Sequence, residues 1–429
     1  MHSPISRIII VAAFVLCLAD VNHACARSIN GTEPGIPDKI DTPPALPKEF
    51  AFTFSTTYGL GDEYPRDPEE FDRMLGLLKG AGYNTVYCPY TEWRVPLFKK
   101  HGMKMMVDVL AWKPPVEADV RDPEQRPKVK AMCEALRGND AIWGYNVWNE
   151  TLYWCTSLEW MNAWVRMLRT WDPTHPVWVG THNNSNPQEI KTEPGVRAWY
   201  DYHWARGLGA NFAMLKYYRG LTSNHLSAMG KWEQIHVRPT PEPADYNRNL
   251  WSLNTGIAYG VKTWIWFIGG PYATREPDVS KRWHPDHHLC KLGRHMQPLY
   301  KLIGEMGPAL QVYSTPTTRN ANNSPKKAGI PANTTGFPAH HWLQVTGGEV
   351  LCGFFKLADG SDVVYVANHN AFARQEVVMT VAKDAKGARA VWQFDRARSD
   401  WVSLGTVGTI RVTLPEADAA LFRFEIPKR

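Results

Sequence analysis

From Phe50 onward, short apolar runs alternate with stretches whose apolar residues recur every third or fourth position. Such alternation predicts strands joined by crossover helices in a parallel sheet. Eight strands are read: Phe50 to Thr56, Asn84 to Cys88, Lys104 to Val109, Ile142 to Trp148, Val177 to Thr181, Ala198 to His203, Ser227 to Trp232 and Thr263 to Phe267. The helices between them carry start signals. Asp67-Pro68-Glu69-Glu70 supplies a cap, a proline at the first helical position and an acidic first turn, and Phe71, Met74, Leu75 and Leu78 then share one face before Gly80. Asp122-Pro123-Glu124 opens a second helix that buries Val129, Met132, Cys133 and Leu136, and Thr156 with Glu159 opens a third that buries Trp160, Trp164 and Leu168.

Eight strand-helix units fit a closed (β/α)8 TIM barrel, whose active sites lie at the C-terminal ends of the strands. A doubly wound open sheet is the main alternative, but Tyr58-Gly59-Leu60-Gly61 after the first strand has too few glycines to cradle a pyrophosphate. After Tyr313 the texture changes: residues 314–338 are rich in Thr, Asn, Pro and Lys without periodicity, and read as a linker or surface excursion. Beyond it the period is two, in Val364 and Val366, in Val377, Met379 and Val381, in Ile410, Val412 and Leu414, and in Phe422, Phe424 and Ile426, which predicts an antiparallel β-sandwich over 339–429.

The first 26 residues change the boundaries, because Arg7, the apolar run Ile8 to Leu18 and Ala24-x-Ala26 read as a secretory signal. The expected mature chain thus starts near Arg27, is secreted or periplasmic, and carries its barrel with an N-terminal extension over 27–313. A net charge of +6 on 429 residues is mild and dispersed, with no basic stripe for nucleic acid and no later apolar run of membrane length. Seven cysteines, widely spaced, give neither a metal pattern nor a disulfide framework; Cys88 and Cys155, each just beyond a predicted strand end, are the pair to test first.

Of the 19 tryptophans, 16 fall between Trp93 and Trp283. Some belong to the core, and the excess also suits a cleft where flat rings stack on the apolar faces of sugars. Asn149-Glu150 follows an apolar strand, where a carboxyl group lies between low-dielectric protein and solvent and its pKa can rise toward neutrality. In a closed barrel Glu233, in Lys231-Trp232-Glu233-Gln234, converges on the same rim from strand seven. Two carboxyls about 5 to 5.5 Å apart are what a double-displacement glycosidase uses.

In Trp148-Asn149-Glu150, in Trp232-Glu233-Gln234 followed by Trp251 to Gly260 and Val261 to Gly270, and in Arg169 to Val177, the chain resembles the retaining glycoside hydrolases of the barrel clan A, β-galactosidase-like members in particular. The resemblance covers roughly residues 49 to 310. It implies Glu150 as acid/base, Asn149 on the sugar 2-hydroxyl and Glu233 as nucleophile, with Tyr202 or His203 orienting Glu233 and Trp264 or Trp266 forming a floor for the sugar. Arg94, Asp108 and His182, near other strand ends, are expected to line the pocket. Glu242 and Glu193 are the other glutamates considered for the strand-seven role.

The expected partner is an oligosaccharide or polysaccharide, with no cofactor. Two further readings compete: a barrel that binds carbohydrate without catalysis, and a metal-dependent hydrolase built on His284-Pro285-Asp286-His287-His288. Adjacent histidines point in divergent directions and no i,i+4 spacing is present, so a solvated loop is the stronger reading of that run.

Overall fold

The computed structural model describes residues 40–55, 64–109, 124–147, 158–182, 193–201, 208–224, 226–234, 246–267, 288–319, 325–382 and 389–425. Eight parallel strands close into a barrel in sequence order: β1 (Ala51–Phe54), β2 (Thr85–Pro89), β3 (Lys104–Asp108), β4 (Ile142–Asn146), β5 (Val177–His182), β6 (Val196–Asp201), β7 (Ala228–Gln234) and β8 (Val261–Phe267). The helices α1 (Pro68–Gly80), α2 (Arg94–His101), α3 (Gln125–Leu136), α4 (Leu158–Trp171), α5 (Leu208–Thr222) and α6 (Tyr246–Ala258) occupy the connections. α1 forms as its sequence predicts: Asp67 accepts the Glu70 amide at 2.9 Å, Pro68 sits in the first turn, and Phe71, Leu75 and Leu78 are buried. Thr156, Asp122 and Pro123 lie outside the described residues.

Alternation along the strands divides the barrel into an inner and an outer set of side chains. Tyr87 of β2 and Trp178 of β5 both pack edge-on against Trp232 of β7, at centroid distances of 5.6 and 5.8 Å, so these rings meet inside the barrel. Gly230 makes room for them, since a Cβ there would come within 2.8 Å of the Trp178 indole nitrogen. On the other side of the strands, Trp199 of β6 stacks on Tyr218 of α5 at 4.6 Å, and Tyr145 of β4 donates to Asp172 at 2.6 Å.

After the barrel come α7 (His288–Met296) and α8 (Tyr300–Glu305), then the sheets. A six-stranded antiparallel sheet has the order β17 (Asp400–Thr406), β16 (Ala390–Asp395), β19 (Ala419–Glu425), β14 (Asp362–Asn368), β13 (Val350–Lys356), β9 (Gln311–Ser314). A three-stranded sheet, β12 (Leu343–Gly347), β15 (Gln375–Val381), β18 (Thr409–Leu414), covers one face of it, and Cys352, Phe354, Val364, Val377, Met379, Ile410, Phe422 and Phe424 form the core between them. The sandwich expected from the period-two pattern is therefore present. Residues 314–338, read as a linker, are structured in their described part: β10 (Thr317–Arg319) pairs with β11 (Pro325–Gly329) as an antiparallel hairpin.

The other face of the six-stranded sheet, through Leu351, Phe355, Val363, Tyr365 and Leu421, merges with the barrel's core. It packs on α6, which is buried from Asn249 through Ala258. Gly353 permits the contact, because a Cβ there would fall 2.0 Å from the Ala258 carbonyl oxygen. Asn254 ties the two parts, donating to the Ala417 carbonyl at 2.8 Å and accepting from the Tyr365 hydroxyl at 2.5 Å.

Cys133 and Cys352 are buried free thiols, and burial pushes Cys133 up to about 12. Cys88 is buried in β2, and Cys155 lies outside the described residues. Among the described residues no helix is long and apolar enough to cross a membrane.

Candidate active site

Parallel barrels present their chemistry at the C-terminal ends of the strands, so the inward residues of those ends define the candidate site. Register assigns them. Tyr87 faces inward, and in the β2–β3 pairing it stands opposite Met106, with Pro89 opposite Asp108. In the β3–β4 pairing Asp108 stands opposite Asn146. Asp108 and Asn146 are therefore neighbours on the inner face at the mouth, and both are buried. A carboxylate and an amide side by side, above a barrel interior filled by Tyr87, Trp178 and Trp232, offer acceptors and donors suited to hydroxyl groups. Asn146 was not singled out by sequence. Its signal was the sequence Gly144-Tyr145-Asn146, where a polar side chain interrupts an apolar strand two positions from a glycine.

β4 then leads, through Val147, into Trp148-Asn149-Glu150, which lie outside the described residues, as do Tyr202, His203, Glu242 and the run 284–287. The backbone of His182 ends β5 at the mouth, in register with Tyr200 of β6. Arg94, in the first turn of α2, is buried; its guanidinium lies 4.9 Å from the Phe71 ring centroid and 5.1 Å from that of Trp93, and donates to the Pro89 carbonyl at 2.9 Å. It braces the end of β2, the strand beside Asp108.

Glu233 departs from expectation. The sequence places it just past strand seven, but β7 continues to Gln234, so Glu233 is a strand residue paired with Asp201 and Trp266. With Trp232 inside the barrel, Glu233 faces outward into the layer between β7 and the helices. It is fully buried there. Its Oε2 lies 2.8 Å from Lys231 Nζ and accepts the Ser252 hydroxyl of α6 at 2.8 Å, while Lys231 also donates to Asn211 of α5 at 3.1 Å. A carboxylate held by an ammonium and a hydroxyl behind the barrel wall is a structural ion pair and cannot attack a sugar at the mouth.

The strand-eight tryptophans depart in the same way. Trp264 and Trp266 pair with Lys231 and Glu233, share their outward face and are fully buried. Trp264 fills the space beside Gly256 of α6, where a Cβ would lie 2.6 Å from the indole ring, and Trp266 packs edge-on against Phe52 at 5.7 Å. Neither forms a sugar floor. Glu193 lies at the opposite end of the barrel, before β6, where it accepts from Arg197 at 2.8 Å and Ser227 at 2.8 Å.

Near it, the stretch leading into β5 forms another structural cluster. Burial pushes the Asp172 carboxyl up, but hydrogen bonds from His175, Thr174 and Tyr145 outweigh it and hold the group at about 2. Among the described residues no group of His, Cys, Asp and Glu is placed to hold a metal ion.

The fold and its inward polar pair define a closed parallel barrel with a mouth-side polar site and a sandwich packed behind α6. Similar solved structures include a β-galactosidase from Rahnella sp. R3 (11% identity, 90% of this chain and 100% of that chain, TM-score 0.48) and a GH51 arabinofuranosidase from Xanthomonas axonopodis pv. citri (11%, 90% and 98%, 0.41). An Arthrobacter globiformis T6 isomalto-dextranase, solved with panose, overlaps comparably (11%, 91% and 76%, 0.46). No protein-family model and no curated protein matches the chain. Overlap at this level assigns no chemistry.

Proposed function

We propose that the protein is an exported glycoside hydrolase that binds a carbohydrate at the C-terminal mouth of the barrel and protonates the leaving oxygen from Glu150. The observation that carries this reading is the pairing of Asp108 with Asn146 on the inner face of β3 and β4, at the end from which β4 leads to Asn149-Glu150. A buried carboxylate and amide there suit the hydroxyls of a sugar ring, and a glutamate four positions beyond Asn146 suits general acid catalysis. The double-displacement pairing of Glu150 with Glu233 does not go forward, because Glu233 is held behind the wall by Lys231 and Ser252. If the reaction retains configuration, the nucleophile is another carboxylate at the mouth, and Asp108 is the one that the described strands present inward.

The test is a panel of aryl glycosides run on the wild type and on Glu150→Gln. Loss is expected to be greatest for poor leaving groups, on the order of 100-fold or more, since these need protonation in the transition state. Equal losses for good and poor leaving groups would remove Glu150 from the acid role. A 2-deoxy-2-fluoro glycoside that labels Glu233 would overturn the structural assignment of that residue.

A further inference from the structure

At the end of the barrel away from the mouth, the chain passes from α8 to β9 through residues 306–310, and a buried lysine holds that passage. β8 opens with a bulge: Met229 stands opposite Val261 and Gly230 opposite Thr263, which leaves Lys262 as the extra residue. Its Nζ donates to the Ile303 carbonyl of α8 and, at 2.6 Å, to the Met306 carbonyl just beyond that helix. The Phe355 ring of β13 lies 5.7 Å away. Barrel, α8 and sandwich thus meet around a single amine.

The charged groups on the surrounding elements are engaged elsewhere. Glu305 of α8 pairs with Lys301 at 3.7 Å, Glu49 with Lys104 at 2.9 Å, and Asp362 with Lys356 of β13 at 2.7 Å. Arg219 of α5, with Tyr259 beside it, donates to the carbonyls of Ala309, at 2.8 Å, and Leu310. None of these acts on Lys262, and burial alone brings its amine down from 10.5 to about 7. Lys231, the other buried lysine among the described residues, has Glu233 as its counter-charge.

Donor count gives the same answer as burial. An ammonium has three N–H donors and a neutral amine two, and two carbonyls are there to accept them. The neutral amine therefore fits, whereas the ammonium is a desolvated charge with a donor left over and only the Phe355 ring beyond.

We infer that Lys262 is a proton-operated latch: as a neutral amine it holds the segment joining barrel to sandwich closed, and taking up a proton lets that segment open and the ammonium reach water. The opening is local. The two halves also meet through contacts that Lys262 does not touch, among them the Asn254 bonds to Ala417 and Tyr365 and the His369 ring stacked on Phe212 of α5 at 5.3 Å. A lysine whose value in the closed state lies below that in water favours closure when neutral. Closure is thus tightest above pH 10.5, weakens as pH falls toward 7, and is weakened little further below 7.

The Gly307 amide donates to the Lys356 carbonyl at 3.0 Å and the Leu310 amide to the Phe354 carbonyl at 2.8 Å, so these two amides report the segment's opening. The test is hydrogen exchange of the full-length chain at about pH 7 and about pH 9, corrected for intrinsic exchange rates. Opening at Gly307 and Leu310 is expected to be about tenfold or more rarer at the higher pH. Lys262→Gln keeps two N–H donors but takes up no proton, and should open equally at both pH values. Lys262→Met, which has no donor, should be equally insensitive to pH. Wild-type opening that is the same at both pH values overturns the inference without any variant, and so does a pH dependence that survives in Lys262→Gln or Lys262→Met.

Discussion

Glu233 shows how one position in a strand decides between chemistry and architecture. Its carboxylate is desolvated, and the Lys231 ammonium and Ser252 hydroxyl compensate that cost. Replacing it by glutamine leaves Lys231 buried without its counter-charge. Glu233→Gln is expected to lower stability by about 3 to 5 kcal/mol while the folded fraction still turns over aryl glycosides; denaturant unfolding and activity per folded molecule read the two effects separately. Asp108→Asn should do the opposite, sparing stability relative to Glu233→Gln and removing most turnover. Of the candidate residues, Asp108 was legible because it lies next to the end of a predicted strand. Asn146 was not, because it is a single polar residue inside an apolar run.

At the scale of elements, what was legible and what was not share one cause. Strands of a parallel barrel are buried on both faces, so they read as continuous apolar runs, which reveals that a strand exists but not which way its residues point. All eight runs overlap their strands, with ends displaced by no more than two residues. β6 starts at Val196, two residues earlier than read, and β7 ends at Gln234, two residues later. The extension of β7 matters most, because it moves Glu233 from a loop into a strand, where alternation turns it outward with Trp264 and Trp266. Helices were easier, since one face is solvated and the 3.6 period survives. The Asp67 cap is a clean case: Asp67→Ala should cost about 1 kcal/mol, seen as a lower unfolding midpoint, because the Glu70 amide loses its acceptor.

For the whole molecule, the contacts that join the barrel to the sandwich are sensitive to acid. Burial lowers His369 to about 4, against the opposing charge of Glu349, with Lys326 adding slightly to the shift. A histidine whose folded pKa lies below its unfolded value of 6.5 favours the folded state when neutral, so stability is lost as pH falls from 6.5 toward 4. Asp418 accepts from His295 of α7 at 2.8 Å and from Arg396 at 2.8 Å. Burial raises it, the two partners outweigh burial, and it rests at about 2, as Asp172 does. Depressed carboxylates stabilise above their unfolded value of 3.8 and lose that contribution as pH falls toward 2. Unfolding free energy is therefore expected to decline in two stages on acidification, and His369→Phe, which keeps the stack on Phe212, should flatten the first. A variant whose decline between pH 6.5 and 4 equals that of the wild type would contradict the assignment.

The helix α6 has barrel strands on one side and the six-stranded sheet on the other, with its residues buried from Asn249 to Ala258. A helix enclosed on both sides belongs to neither layer alone, so the barrel half of this chain has no finished outer surface of its own. Shortening the protein to its barrel would strip one wall from α6 and expose Trp251 and Asn254, which meet His369, Ala417 and Tyr365 across it. The two halves, distinct in their sequence pattern, are expected to melt as one.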